Sequence, residues 1–304
     1  MCIMEKDTSL TGGYLGRGFT VYSELLHSPF TWIDSGIYRQ SPVEPIALDE
    51  ALATAMKEPN AKPIIHLWIY DKAFWLGRRD AKLPHLEQAL KAYSYEGYSA
   101  LLRSSGGACV PLDSGVLNMA ILFPQCNLAI DDFYKLAAEI LSVGLADYGK
   151  IELGEVVDSY CVGDYDFALA GKKIGGMAQR RTRYGSILQL CINIEGSGIE
   201  RGALMEDFYH QAGLYEMEVA QRPVPAVRKE TIGSISEHMG RAISVDEVKE
   251  QLYSAISNKW TAPKGELPLT EADKEVAIQH LTGRLGLFSY TAAEIQQSDW
   301  RLLK

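Results

Sequence analysis

The chain alternates between short apolar runs of strand length and apolar stripes with helical spacing, and their order predicts an α+β fold. Phe30 to Asp34 is a short strand, and Ile46 to Met56 is a helix dense in strong helix formers. Ile64 to Tyr70 and Ala73 to Gly77 are β-rich and separated by Asp71-Lys72, a spacing that predicts a hairpin. A short helix from Pro84 to Tyr93 precedes a strand, Ser99 to Arg103, that runs into a glycine turn. Val116 to Phe123 is almost wholly apolar, as expected of a strand covered on both faces near the middle of a sheet.

Phe133, Leu136, Ala137, Ile140, Leu141 and Gly144 then form one stripe of a helix, with Asp131 and Asp132 favouring its N-terminus. Strands near 164–169, 172–178 and 186–194 make an antiparallel run around Ala170-Gly171. After residue 198 the pattern turns helical, with amphipathic segments at 245–260 and 270–284 opened by Ser244 and Thr270 as N-caps. The expectation is a mixed, largely antiparallel sheet or sheets flanked by helices, with a helical C-terminal third.

Composition narrows the function. A chain of 304 residues with 47% hydrophobic and 23% charged positions can bury a substantial core. There is no run of eighteen apolar residues and no secretory leader pattern at the start, so the expected location is the cytoplasm, with no membrane partner. A net charge of -9 disfavours nucleic acid as a partner. Arg180, Arg181 and Arg183 are a local basic exception, either a solvated strand end or a landing site for an acidic protein. Five scattered cysteines without CxxC spacing argue against a disulfide framework and a cysteine zinc site, and the histidines show neither HxH nor HExxH spacing. No metal is expected, and His66, in an apolar strand, reads as a hydrogen-bonded core imidazole.

Two glycine clusters follow strands: Arg103-Ser104-Ser105-Gly106-Gly107-Ala108-Cys109 and Gly171-Lys172-Lys173-Ile174-Gly175-Gly176. Neither matches a nucleotide fingerprint, and paired glycines serve a β-bulge as well as a ligand. The second cluster adds two lysines on a tight turn, which on a strand face opposite ways, so one can enter a pocket. A pocket-facing ammonium beside Cys161 would favour thiolate over thiol. On spacing alone Cys161 is as readily a buried small hydrophobe as a nucleophile. Trp68, Tyr70, Phe74 and Trp75 read as core, or as the lining of an apolar groove.

Taken together, WLGRRD (Trp75 to Asp80), RSSGGACVPLDSGVLNMAIL (Arg103 to Leu122) and DYDFALAGKKIGGMAQRR (Asp164 to Arg181) resemble the catalytic domain shared by lipoate-protein ligases, octanoyltransferases and biotin-protein ligases. The resemblance spans about residues 30–215. It implies an acyltransferase catalytic domain at 30–215, while the low periodicity of 1–29 reads as an irregular lead-in and the helical pattern at 216–304 as an extension packed on that domain. It further implies Lys173 as catalytic lysine, and Arg103, Ser105, Gly106, Gly107, Gly175 and Gly176 around the acyl group. YCVGDYD followed by GKKIGG resembles the branch that carries octanoyl on a cysteine, here Cys161, from the glycine cleavage H protein to lipoyl domains of E2 subunits, with no cofactor. Transfer from octanoyl-acyl carrier protein, ATP-dependent lipoate ligation and a non-catalytic lipoate-binding scaffold are the alternatives. Cys109 and Ala108 depart from the family pattern, and Cys109 places a second thiol near the pocket.

Overall fold

The computed structural model describes residues 30–58, 60–103, 106–124, 129–259, 269, 271–284 and 287–302. The lead-in at 1–29, together with Ser104, Ser105 and Thr270, lies outside them. In chain order the elements are β1 (Thr31–Tyr38), α1 (Glu44–Ala55), β2 (Ile64–Tyr70), β3 (Lys72–Leu76), α2 (Leu86–Ser94), β4 (Ser99–Leu102), β5 (Val110–Asp113) and β6 (Val116–Pro124). There follow α3 (Ile130–Gly144), β7 (Glu152–Leu153), β8 (Phe167–Leu169), β9 (Lys172–Arg181), β10 (Gly185–Asn193) and α4 (Gly198–Gln211). The chain continues with α5 (Ile235–Met239), α6 (Val245–Lys259), α7 (Glu271–Gln279), β11 (Ser289–Tyr290) and α8 (Ala292–Ile295).

The strands form two sheets, a seven-stranded one in the order β1-β2-β6-β10-β9-β8-β7 and a four-stranded one in the order β11-β4-β3-β5. Only β1–β2 and β3–β4 pair in parallel, so the sheets are mixed and largely antiparallel, as the apolar pattern predicts. β6, buried along nearly its whole length, lies between β2 and β10. One apolar core fills the space between the sheets, a second lies beneath α3 and α6, and a third lies beneath α1. The α3 stripe from Phe133 to Gly144 is buried as its periodicity requires. Ser244 accepts the Glu247 N–H at the start of α6, the capping role its position implies.

The predicted hairpin of β2 and β3 does not form, because the two strands belong to different sheets. β2 is flanked on both edges, by β1 and β6, so no edge remains for β3. One residue, Asp71, separates them, and its N–H donates to Tyr38 O at 3.1 Å. Neither Asp71 nor Lys72 adopts the positive φ that a primed two-residue turn demands. The C-terminal third is also less uniformly helical than its pattern suggests. Residues 212–234 contain only 3-10 turns and extended segments, and β11 adds an edge strand to the smaller sheet. A two-residue strand has no periodicity to reveal it. Among the described residues no helix is long and apolar enough to cross a membrane.

Candidate active site

The turn between β8 and β9 sets up the site. Ala170 (φ 49) and Gly171 (φ 73) both take left-handed backbone, the geometry of a tight primed hairpin turn, and fix Leu169 opposite Lys172 and Ala168 opposite Lys173. Strand alternation then sends Lys172 to solvent and Lys173 inward, where it is buried. The Lys173 ammonium spends its three protons on three acceptors, each at 2.8 Å: Asp166 Oδ1, Tyr160 O and Cys161 O. Burial pushes the Asp166 carboxyl up from its ordinary range, and the Lys173 charge opposes that push.

Lys173 therefore grips the backbone of the cysteine loop rather than its sulfur. The grip has something to hold, since Cys161 is a non-glycine residue at φ 49, a conformation that costs about 1–3 kcal/mol and persists only where its surroundings impose it. The buried Tyr160 ring anchors the same loop, its hydroxyl bonded to Asn193 of β10.

The positive charge on the sulfur comes from Arg103. Its Nη2 donates to Cys161 Sγ at 3.0 Å and to Ala108 O at 2.8 Å, and the Ala108 N–H points at the same sulfur from 3.4 Å. A guanidinium and a backbone donor converging on one sulfur suit a thiolate nucleophile. Gly107 permits this convergence. It sits at φ 99, and a Cβ there would lie 2.5 Å from Arg103 Nη2 and 2.6 Å from Cys161 Sγ.

These groups border a cavity of about 360 Å³ between the two sheets, roofed by Trp75 and Val110 and floored by Gly176, Ala178, Gln189 and Cys191. Of the residues singled out in the sequence, Cys161, Lys173, Arg103, Gly106, Gly107 and Gly176 line it. Gly175 does not. Its missing side chain makes room for the Phe167 ring and the Cys191 carbonyl, so its part is close packing beneath the site. Ser105 lies outside the described residues.

Arg180 turns away from solvent to pair with Glu50 of α1, while Arg181 and Arg183 are exposed about the β9–β10 hairpin, Arg183 resting over Tyr184 at 5.5 Å. Cys109 is wholly buried, off the cavity lining, with its thiol pushed well up by burial. His66 is a buried, hydrogen-bonded core residue, and Trp68 and Tyr70 are core.

Among the lining residues that no motif or spacing singles out are Asp166, Gln189 and Cys191. Asp166 and the exposed Asp164 lie two residues apart in the turn before β8, where the Asp166 N–H donates to Gly163 O, and a turn has no period from which the buried member of the pair can be read. Gln189 and Cys191 fall at alternate positions of β10, a period-two signal that also describes core residues. No cluster of three or more metal-ligating side chains occurs among the described residues.

Residues 41–257 match the family described as lipoyl protein ligase A/B catalytic domain. The chain is 35% identical over 215 residues to an octanoyl-[GcvH]:protein N-octanoyltransferase of Geobacillus kaustophilus, covering 70% of this chain and 75% of that one. It is 32% identical over 255 residues to the Oceanobacillus iheyensis protein of the same name, covering 81% and 90%. A lipoyl-[GcvH]:protein N-lipoyltransferase of Listeria monocytogenes is 31% identical over 217 residues, covering 70% and 77%. In fold, the chain resembles a lipoate-protein ligase A bound with ATP, with a TM-score of 0.60 at 18% identity over 84% of this chain and 95% of that one. It also resembles a bipartite lipoate protein ligase from Thermoplasma acidophilum, with a TM-score of 0.56 at 16% identity over 91% and 98%.

Proposed function

The chain belongs to the lipoyl protein ligase A/B catalytic-domain family, and we propose that it is a protein N-octanoyltransferase that takes octanoyl from the glycine cleavage H protein and passes it through a Cys161 thioester to lysines of E2 lipoyl domains. The observation that carries the covalent step is the pair of donors, Arg103 Nη2 and the Ala108 N–H, on the Cys161 sulfur at the wall of a cavity.

The Cys161 thiolate attacks the carbonyl carbon of the donor's octanoyl-lysine amide. The carbonyl π electrons move to oxygen, and the Ala108 N–H, a backbone donor already beside the sulfur, can steady the developing oxyanion. As the tetrahedral species collapses, the C–N bond breaks and the lysine nitrogen leaves as the amine with a proton taken from water, so a thioester remains. An acceptor lysine amine then attacks the thioester and gives up a proton to water, the C–S bond breaks and the thiolate returns. One amide replaces another, so the net reaction is close to thermoneutral and draws on no nucleotide. Lys173 keeps the nucleophile's backbone in place through both steps, Arg103 holds the sulfur, and Arg181 and Arg183 offer an acidic acceptor domain a local attraction.

Incubation of the purified protein with octanoylated H protein, followed by intact-mass measurement, tests this reading. A gain of one octanoyl group is expected on the wild type, and neither acyl-enzyme nor transfer on Cys161→Ser. Wild-type transfer by that variant would remove the thioester from the mechanism.

A further inference from the structure

The cavity floor runs along β9 and β10 in cross-strand rows. Gly176 faces Cys191 beside the nucleophile, the next row in register on this face is Ala178 with Gln189, and the one after is Arg180 with Ile187. The first two rows line the cavity, whereas Ile187 packs beneath α1 with Leu48 and Leu52. Gln189 thus stands where the cavity ends and α1 begins.

Its carboxamide is fixed. Nε2 donates to Asp49 Oδ2 at 2.8 Å, and Asp49 Oδ1 shares a 2.8 Å hydrogen bond with His66 Nδ1. His66 Nε2 lies 2.9 Å from Ser35 Oγ. His66, Ala120 and Gln189 are neighbours across three strands, and the small Ala120 leaves space above the sheet for the carboxylate that bridges its flanks. Asp49 and His66 are fully buried. Ser35, His66 and Asp49 follow the hydrogen-bond order of a hydrolase triad, yet none of them lines the Cys161 cavity, so the relay has no view of a carbonyl to attack.

We propose that Gln189, pinned by Asp49, is the end-stop that sets acyl chain length, with Asp49 and His66 as positioning residues. The proposal rests on the acyl-transfer reading of the same cavity. Strands advance ~3.4 Å per residue, so the Gln189 row lies ~7 Å beyond the Gly176–Cys191 row. A saturated eight-carbon acyl chain of ~1.5 Å bonds extends ~9 Å and reaches that row from a carbonyl held at Cys161. A longer chain meets the pinned carboxamide. An apolar plug would repack around an added methylene, but displacing this amide breaks a bond to a buried carboxylate, which then loses a donor.

The test is calorimetric titration of the full chain with sodium hexanoate, octanoate, decanoate and dodecanoate. Wild-type affinity is expected to rise ~fourfold per added methylene up to eight carbons and to fall beyond. In Gln189→Ala the maximum moves to a longer chain, and the affinity for dodecanoate relative to octanoate rises at least ~tenfold. Asp49→Leu removes both acceptor oxygens and unpins the amide while leaving the cavity lining in place, and the same ratio rises by a smaller factor.

A wild-type affinity that climbs through dodecanoate overturns the end-stop, even if neither variant folds. So does a folded Gln189→Ala that binds octanoate and keeps the wild-type maximum. Binding requires no transfer chemistry. A chain with this length profile that forms no acyl-enzyme would overturn the transferase reading and leave the end-stop standing.

Discussion

Cys161 and Cys191 border the same cavity from different kinds of backbone. Cys191 sits in regular strand, buried along β10, and burial pushes its thiol up, with negative charge at Cys161 adding to the push. Cys161 sits in a left-handed loop that a buried lysine holds by two carbonyls, with two donors on its sulfur. Access to the cavity is common to both, so access does not distinguish them. What differs is the donors aimed at sulfur, and a loop can gather these from distant elements whereas a strand's backbone N–H groups are already spent on its ladder.

The sharpest way to break this comparison is to remove each thiol in turn. Cys161→Ser is expected to lower octanoyl transfer by more than ~10³-fold, whereas Cys191→Ser stays within a few-fold of wild type, as read by acceptor octanoylation on gels. Equal losses would show that the cavity needs both sulfurs. Arg103→Lys keeps the charge and loses the planar fork, and the single-turnover rate of enzyme acylation should drop ~10²-fold. Alkylation of Cys161 by iodoacetamide should slow in parallel, a change that mere loosening of the fold would not cause.

Lys173→Met strands the Asp166 carboxyl in a site that is 2% exposed, and denaturant melts should register a loss of about 3–5 kcal/mol. Changing Asp166 to Asn in the same chain should restore part of that loss, since the variant then buries no unpaired charge.

A fourth way uses pH. Burial raises the Cys109 and Cys191 thiols above the ordinary value of 9.0, so between that value and the raised one the folded state holds protons that the unfolded state has released. Their contribution to stability is full below 9.0 and declines as pH climbs through the raised range. Iodoacetamide should accordingly label Cys161 at neutral pH and reach the other two only in alkaline, loosening protein. The smallest expected effect belongs to Arg181→Glu with Arg183→Glu. This pair should raise the KM for an acidic lipoyl acceptor several-fold while the rate of enzyme acylation holds, and the difference should fade as salt is added.

Much of the fold was legible because its elements are local. The α3 stripe, the almost wholly apolar run of β6 and the Ala170-Gly171 turn each state their geometry within a dozen residues. The β2–β3 corner was misread because alternation describes a strand without saying which sheet receives it. At the site, Cys161 and Lys173 were legible because they are close in sequence, and alternation separated Lys173 from Lys172. The contact of Arg103 with Cys161 spans 58 positions and that of Gln189 with Asp49 spans 140, so neither leaves a spacing to read. Lys173 was assigned to the right neighbourhood but to the wrong atom, the sulfur instead of the loop carbonyls. Only the path of the loop distinguishes the two.

The corner at Asp71 has a mechanical consequence. The chain passes from one wall of the cavity to the other through a single residue, and Trp68 and Trp75 on either side of it meet edge to face at 5.2 Å. The floor and roof are stitched together there, so along this edge they cannot draw apart, and the gauge of the slot is set at that corner.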